Sequence, residues 1–242
     1  MDKWFDKIQK PIIGLAPMHG FTNSAFRLLC RQNGADVVYS EMVAAEGIIR
    51  RVPAVMAQLE FLLEERPVIL QIFGANPESM AGAAEIIEKE YQPDGIDINF
   101  GCPVQKAAKQ GFGAVLMRDT PKAIEIIKAV KAVLKKTPLS IKIRLNENTD
   151  ETIDFIKKAQ LAGVDLVAIH GRTLTQKYRG QADYKKLHKI KAFFPNLPIL
   201  GSGDIKTLDD LKNKLGNLDG ALIGRAAKIN PQVFNEFQKI KN

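Results

Sequence analysis

Leu139-Ser140-Ile141-Lys142-Ile143-Arg144 alternates apolar and polar residues along its length. A period of two belongs to a β-strand, whose successive side chains point to opposite faces. Before it, Ile124, Ile127, Val130 and Leu134 recur at helical spacing, with Lys128, Lys131 and Lys135 on other faces. After it, Thr149–Leu161 reads as another helix. The same strand-then-helix rhythm extends in both directions. Apolar runs fall at Ile12–Ala16, Ala35–Tyr39, Val68–Phe73, Gly95–Asn99, Leu139–Arg144, Leu166–His170, Pro198–Gly201 and Gly220–Ile223. Most are too continuously apolar for a sheet with one wet face, so they predict parallel strands covered on both sides. Asn76 with Pro77, and Thr120 with Pro121, pair a capping side chain with a residue suited to the first helical turn. Asp183–Phe193 and Pro231–Ile240 predict further helices, whereas Pro53 interrupts Ile48–Leu63.

Eight strand–helix alternations within 242 residues imply an α/β fold, the TIM (β/α)8 barrel, as one domain over residues 1–242 ending in a short helix. An open doubly wound sheet is the alternative. No Gly-x-Gly-x-x-Gly follows the first strand to support a dinucleotide-binding start.

Composition narrows the class. A 45% hydrophobic share supplies a large core. No apolar run approaches the roughly 20 residues that span a bilayer, and the amphipathic N-terminus lacks the apolar core of a signal peptide. A cytoplasmic protein with no membrane association is expected. Cys30 and Cys102 are the two cysteines, too few for a disulfide framework. Cys30 lies in an apolar helical stretch and reads as core. No metal site is expected. Residues 1–120 hold 12 Lys and Arg against 15 Asp and Glu, and residues 121–242 hold 23 against 12. The basic half suits a polyanionic partner, although a solvated lysine-rich surface accounts for charge alone equally well.

In such a barrel, chemistry collects where strands end. Pro17, Met18 and His19 follow the first run; Ser40 and Glu41 the second. Gln71 lies in the third, and Asn99 ends the fourth, before Gly101-Cys102-Pro103. Lys142 and Arg144 lie in the fifth. His170 ends the sixth, before Gly171-Arg172-Thr173. Gly201-Ser202-Gly203-Asp204 and Gly224-Arg225 close the last two. An inward lysine is costly to bury unless it meets an anion or an electron-rich ligand, which makes Lys142 the sharpest signal. The two glycine-bearing turns stand where this fold binds phosphate, with Arg225 as a charged donor.

These residues resemble the tRNA-dihydrouridine synthases from about Pro11 to Phe234. The resemblance rests on Ala16-Pro17-Met18-His19-Gly20-Phe21-Thr22, Gln71-Ile72-Phe73-Gly74 and Asn99-Phe100-Gly101-Cys102-Pro103-Val104-Gln105-Lys106. It extends through Ile169-His170-Gly171-Arg172-Thr173, Tyr178, Gly180 and Ala182-Asp183-Tyr184, then Ser202-Gly203-Asp204 and Ile223-Gly224-Arg225. It implies FMN as cofactor, NADPH as its reductant and a uridine of tRNA as substrate. Ala16, Pro17 and Met18 would line the flavin ring, and Gln71, Lys142 and His170 would contact it. Ser202, Gly203, Asp204, Gly224 and Arg225 would hold its phosphate. Cys102 would give a proton to C5 while hydride reaches C6 of an extruded uracil. Asn99 and Lys106 would contact the base, and Arg144 and Arg172 the base or the RNA backbone.

Two departures stand out. Asn23 occupies a position often acidic in the family. The chain ends at Asn242, where family members usually continue into a helical domain that grips tRNA, so a short member is expected. Another FMN-barrel pyrimidine oxidoreductase, such as a dihydroorotate dehydrogenase, is the enzymatic alternative; Cys-Pro-Val-x-Lys and His-Gly-Arg-Thr argue against it. A non-catalytic RNA-binding protein on the same scaffold is the other, opposed by Cys102, Lys142 and the two phosphate loops.

Overall fold

Eight parallel strands close in chain order into a barrel in the computed structural model, which describes residues 3–104 and 111–241. They are β1 (Ile12–Leu15), β2 (Val37–Ala44), β3 (Val68–Phe73), β4 (Gly95–Phe100), β5 (Leu139–Leu145), β6 (Leu166–Thr173), β7 (Ile199–Ser202) and β8 (Gly220–Ile223). Around them run α1 (Ser24–Gln32), α2 (Ala45–Ile49), α3 (Pro53–Met56), α4 (Pro77–Glu90), α5 (Thr120–Val133), α6 (Thr149–Leu161), α7 (Tyr184–Phe193), α8 (Leu208–Leu215), α9 (Arg225–Ile229) and α10 (Val233–Phe237). No helix among the described residues is long and apolar enough to cross a membrane.

Three expectations shift. β2 runs on to Ala44 because its register with β3 slips between Tyr39 and Met42, a bulge that lets the strand continue past Ser40 and Glu41. The cap of α5 is Asp119, whose Oδ1 accepts from the Lys122 amide at 3.2 Å. Thr120 is already helical there. The α5 face that is buried consists of Ala123, Ile126, Ile127 and Val130, so the inward stripe is turned relative to one through Ile124 and Leu134.

The core has two compartments. Most apolar residues lie between strands and helices. A smaller cluster comprises Ile12, Ala16, Val37, Tyr39, Ile69, Leu166, Ala168, Leu200 and Leu222, with Trp4 and Phe5. In the first compartment Cys30 is fully buried, and burial pushes its thiol up to about 12, as suits an inert core residue.

The strand starts share a repeated tie that motif reading passes over. Asp36, Asp94, Asp165 and Asp219 stand immediately before β2, β4, β6 and β8. Each carboxylate accepts from an amide on the preceding odd-numbered strand: Ile13 at 2.6 Å, Val68 at 2.8 Å, Leu139 at 2.9 Å and Ile199 at 2.8 Å. Each aspartate's own amide donates back to the carbonyl of that same residue, at 2.8, 3.0, 2.7 and 3.0 Å. A cation neutralises each: Lys241, Arg66, Lys131 with Lys3, and Lys10 with Lys191. Every odd strand is thus clasped to its successor, and the end of the barrel remote from the strand-end chemistry is fixed four times over.

Burial opposes ionisation of Asp165, but Lys3, the Leu139 amide and Lys131 outweigh it and hold its pKa below the usual carboxylate range. The stabilisation it contributes is therefore present above the unfolded value of about 4 and is lost as pH falls through the lower folded value. Asp165→Asn should cost about 2 kcal/mol at neutral pH, read from urea midpoints. The gap from wild type should narrow in acid; a gap independent of pH contradicts the charge-assisted clasp.

Candidate active site at the C-terminal ends of the strands

Strand register brings the polar residues of β3, β4 and β5 side by side. Gln71 is level with Asp97, Asp97 with Ser140, and Asn99 with Lys142. The Gln71 Nε2 donates to Asp97 at 2.7 Å, and the Gln71 Oε1 accepts from Asn99 at 2.8 Å. The Ser140 hydroxyl donates to the other Asp97 oxygen at 2.6 Å. At the β2 bulge, Ser40 Oγ accepts from the Gln71 amide at 2.9 Å.

Lys142 makes no salt bridge among the described residues. Burial, then Arg144, lower its pKa to about 8 against the opposing pull of Asp97 and Cys102. Asp97 is fully buried, which raises its pKa to about 6 although Ser140, Gln71 and Lys142 favour the charged form. An ammonium this confined is poised for an electron-rich partner.

Cys102 is half-buried in the turn after β4. The Asn99 Oδ1 accepts from the amides of Gly101 at 3.1 Å and Cys102 at 2.9 Å. Ala114 donates to the Cys102 carbonyl at 3.1 Å. Gly113 sits at φ +73°, where an added Cβ would lie 3.0 Å from Cys102 Cβ; only glycine leaves room for the thiol's backbone there. The preceding Phe112 stacks on Phe73 at 4.4 Å between ring centroids. Lys106 lies outside the described residues.

Across the barrel, Arg144 donates to the carbonyls of Gly101, Thr173 and Lys177 at 2.9, 3.2 and 2.8 Å. It thereby joins the cysteine turn to the loop after β6. Tyr178 lies over its guanidinium at 5.6 Å and is 63% exposed, an aromatic face at the mouth of the barrel. Arg172 is buried; it donates to the carbonyls of Arg179 and Gly180 and to Asp204. Its Nη1 is buried without a partner among the described residues. Asp204 receives Arg172 at 2.7 Å and Arg225 at 2.7 Å, so this carboxylate orients two guanidinium groups.

The His170 Nδ1 accepts from the Arg172 amide at 3.2 Å, which places the ring proton on Nε2 in the neutral form. Burial, then Lys142, Arg144, Arg172 and Arg225, push its pKa down to about 2, so it is a neutral donor. Gly203, at φ +115°, comes so close that an added Cβ would lie 3.3 Å from His170 Nε2. Ser202 is buried at the end of β7, level with His170.

At the seam of β1 and β8, Ala16 donates to the Ile223 carbonyl at 2.9 Å, and a Cβ on Gly224 would meet Met18 Sδ at 3.5 Å and Ala16 Cβ at 3.8 Å. Pro17 follows Ala16 half-buried. Thr22 bonds to both the amide and the carbonyl of Met18. Buried Arg27 donates to the Thr22 carbonyl at 2.8 Å and to buried Glu65 at 2.6 Å, locking that loop to the β2–β3 connection. Asn23 caps α1 by accepting from the Phe26 amide at 3.0 Å. His19 is exposed beside Glu41, and His188 is half-buried against the Lys214 carbonyl.

Asp97 and Arg27 are contributors that neither the motifs nor the strand ends revealed. Asp97 had a legible signal. It stands between Ile96 and Ile98 as Lys142 stands between Ile141 and Ile143, and it shares a face with Asn99. No group of three or more His, Cys, Asp or Glu suited to a metal occurs among the described residues.

The sequence model described as dihydrouridine synthase (Dus) matches residues 14–242. The chain belongs to the dihydrouridine synthase family. A probable tRNA-dihydrouridine synthase of Aquifex aeolicus is 41% identical over 230 residues, 93% of this chain and 72% of that protein. The tRNA-dihydrouridine synthase B of Pseudomonas syringae pv. tomato is 35% identical over 228 residues, 93% of this chain and 67% of its own length. A probable tRNA-dihydrouridine synthase of Mycobacterium tuberculosis is 33% identical over 243 residues, and the match spans 62% of it. Among solved structures, a 2-naphthoyl-CoA reductase superposes with a TM-score of 0.72 at 12% identity, covering 98% of this chain and 51% of that one. A DHODH from Eimeria tenella does so with 0.68 at 15%, covering 94% and 79%. These two likenesses bear on the barrel alone.

Lys142 yields a test of the site's electrostatics. Its folded pKa lies below the unfolded value, so the charged form destabilises the fold, fully below about 8 and not at all above about 10.5. Lys142→Met should therefore stabilise the ligand-free protein by about 2–3 kcal/mol near pH 7, with a rise of several degrees in Tm. The gain should shrink toward alkaline pH. A variant less stable than wild type at pH 7 contradicts the buried-charge reading.

Proposed function

We propose that this dihydrouridine synthase family member reduces uridine to 5,6-dihydrouridine in tRNA, in the cytoplasm, using FMN and NADPH. The observation that carries the reading is the juxtaposition of Lys142, without an ion-pair partner among the described residues, with Asn99 and the turn that bears Cys102. The residues present fit a flavin. The orphaned Nη1 of Arg172 and the cations around neutral His170 make a site suited to anionic and electron-rich groups. Gly203 leaves the backbone open where a Cβ would crowd Ala182 and His170.

On this reading Ala16, Pro17 and Met18 would line the ring, and Gln71, Lys142 and His170 its polar edge. Ser202, Gly203, Gly224 and Arg225 would hold the phosphate, with Asp204 aiming Arg225 instead of touching the anion. FMN, reloaded by NADPH, would supply hydride to C6 of the uracil. Cys102 would complete the addition by giving its thiol proton to C5, so that the C5=C6 double bond gains two hydrogens and the thiolate is reprotonated from solvent. The Lys142 ammonium would stabilise negative charge that develops during the transfer.

Asn99 offers a donor. Its oxygen is spent on two backbone amides, so only an amide N–H is left for a uracil carbonyl. Lys106 would also act on the base. Arg144 and Arg172 would shape the mouth by fastening its loops, and Tyr178 would offer a flat face to a neighbouring nucleotide.

Unmodified tRNA incubated with the protein, FMN and NADPH should gain the mass of two hydrogens at a uridine. Cys102→Ala should slow that gain by about 100-fold or more while FMN still binds. An undiminished rate in the variant removes Cys102 from its role.

A further inference from the structure

Asp97 lies below the proposed reacting groups and has no part in the chemistry described so far. It is fully buried in β4 and accepts from Gln71 Nε2 and Ser140 Oγ, one on each oxygen. From Gln71 a single line of hydrogen bonds runs upward through Asn99 to the amides of Gly101 and Cys102.

The two ends of that line are chemically unlike. A carboxylate only accepts, and a backbone N–H only donates. Between them, two carboxamides can be threaded in one sense alone. Gln71 must turn its nitrogen to Asp97 and its oxygen to Asn99. Asn99 must then turn its nitrogen to Gln71 and its oxygen to the cysteine turn. Flipping either amide opposes donor to donor at one end and acceptor to acceptor at the other, inside a barrel where an unmade bond is expensive.

We propose that Asp97 is a positioning residue: its carboxylate sets the sense of the Gln71–Asn99 amide chain and so fixes the backbone of the Cys102 turn. The chain also decides what the floor of the site can offer. With Gln71 and Asn99 threaded this way, each keeps an N–H unspent, Gln71 Oε1 keeps one acceptor site, and beside them stands the Lys142 ammonium, so donors outnumber acceptors. The floor therefore favours carbonyl oxygens of a ring system over N–H groups. That consequence rests on the flavin and uracil reading above; the positioning role of Asp97 does not.

Burial opposes the charge on Asp97, while Ser140, Gln71 and Lys142 favour it. Tyr39 faces the carboxylate from β2, Ser140 and Lys142 from β5, and Cys102 and Arg144 lie beyond Lys142. Burial, then Asp97, push the Tyr39 phenol well above its ordinary value, so that hydroxyl stays protonated.

Amide hydrogen exchange on the full chain, without flavin or RNA, tests the proposal. Asp97→Ala should lower protection of the Cys102 and Gly101 amides by about tenfold or more, the loss of one net hydrogen bond. The Val167 and Ile199 amides, bonded on the far side of the barrel, should stay unchanged. Gln71→Met, which cuts the chain with Asp97 in place and preserves volume, should reproduce that local loss; it decides alone should Asp97→Ala fail to fold. Asp97→Asn should remain within about twofold of wild type, because its oxygen can still accept from Gln71 while its nitrogen donates to a rotated Ser140 hydroxyl. Unchanged Cys102 protection in the chain-cutting variants overturns the proposal. So does a loss spread equally over Val167 and Ile199, which would make Asp97 a packing residue. Since no turnover is measured, a protein that proved inactive on tRNA would refute the proposed function and leave this result standing.

Discussion

The upper interior of this barrel depends on how one carboxylate is surrounded. Asp97 is the acidic group buried among the inward residues of β3 to β5, and the charge of Lys142 is tolerated there partly because of it. Two carboxamides carry its influence to the cysteine turn. Without an acceptor at that depth, Gln71 would have a buried amide N–H to satisfy, and Asn99 would lose the partner that aims its oxygen upward. The apolar cluster holding Ile12, Val37, Ile69, Leu166 and Leu200, with Trp4 and Phe5, leaves the polar groups of the barrel concentrated near the other end.

Stability and chemistry are separated along the barrel axis. At the strand starts, four aspartates clasp consecutive strands in pairs, each neutralised by lysine or arginine. At the strand ends, cations outnumber anions: Arg172 and Arg225 share Asp204, Lys142 makes no ion pair among the described residues, and Arg172 keeps a nitrogen unsatisfied there. Such an imbalance is costly in a protein that binds nothing. The clasped end supplies the rigidity that lets the other end hold it, a division expected of a fold whose active sites sit at one face.

Much of this was legible in the sequence, for identifiable reasons. Parallel strands covered on both faces leave continuous apolar runs, so all eight were visible. β2 hid its second half because Ser40 and Glu41 form a bulge that breaks the apolar run. Helix ends were legible where the cap is local, as at Asn76, and misplaced by a residue where Asp119 and Thr120 compete. Lys142 announces itself by standing between isoleucines; Asp97 stands in the same pattern, less conspicuous beside the cysteine motif. The repeat of an aspartate before every even strand was present in the sequence too, in Ala35-Asp36, Pro93-Asp94, Val164-Asp165 and Leu218-Asp219. Its meaning needs the strand pairing. The Arg27–Glu65 pair could not be read at all, since only the folded β2–β3 connection brings those residues together.

The role proposed for the concentrated donors and cations at the strand ends is reduction of uracil within RNA. Its most direct test is anaerobic: protein loaded with FMN, reduced chemically, then mixed with unmodified tRNA. On this reading the oxidised flavin absorbance returns in proportion to the uridine converted, and orotate leaves the flavin reduced. Flavin that stays reduced with tRNA, or that orotate reoxidises as readily, contradicts it.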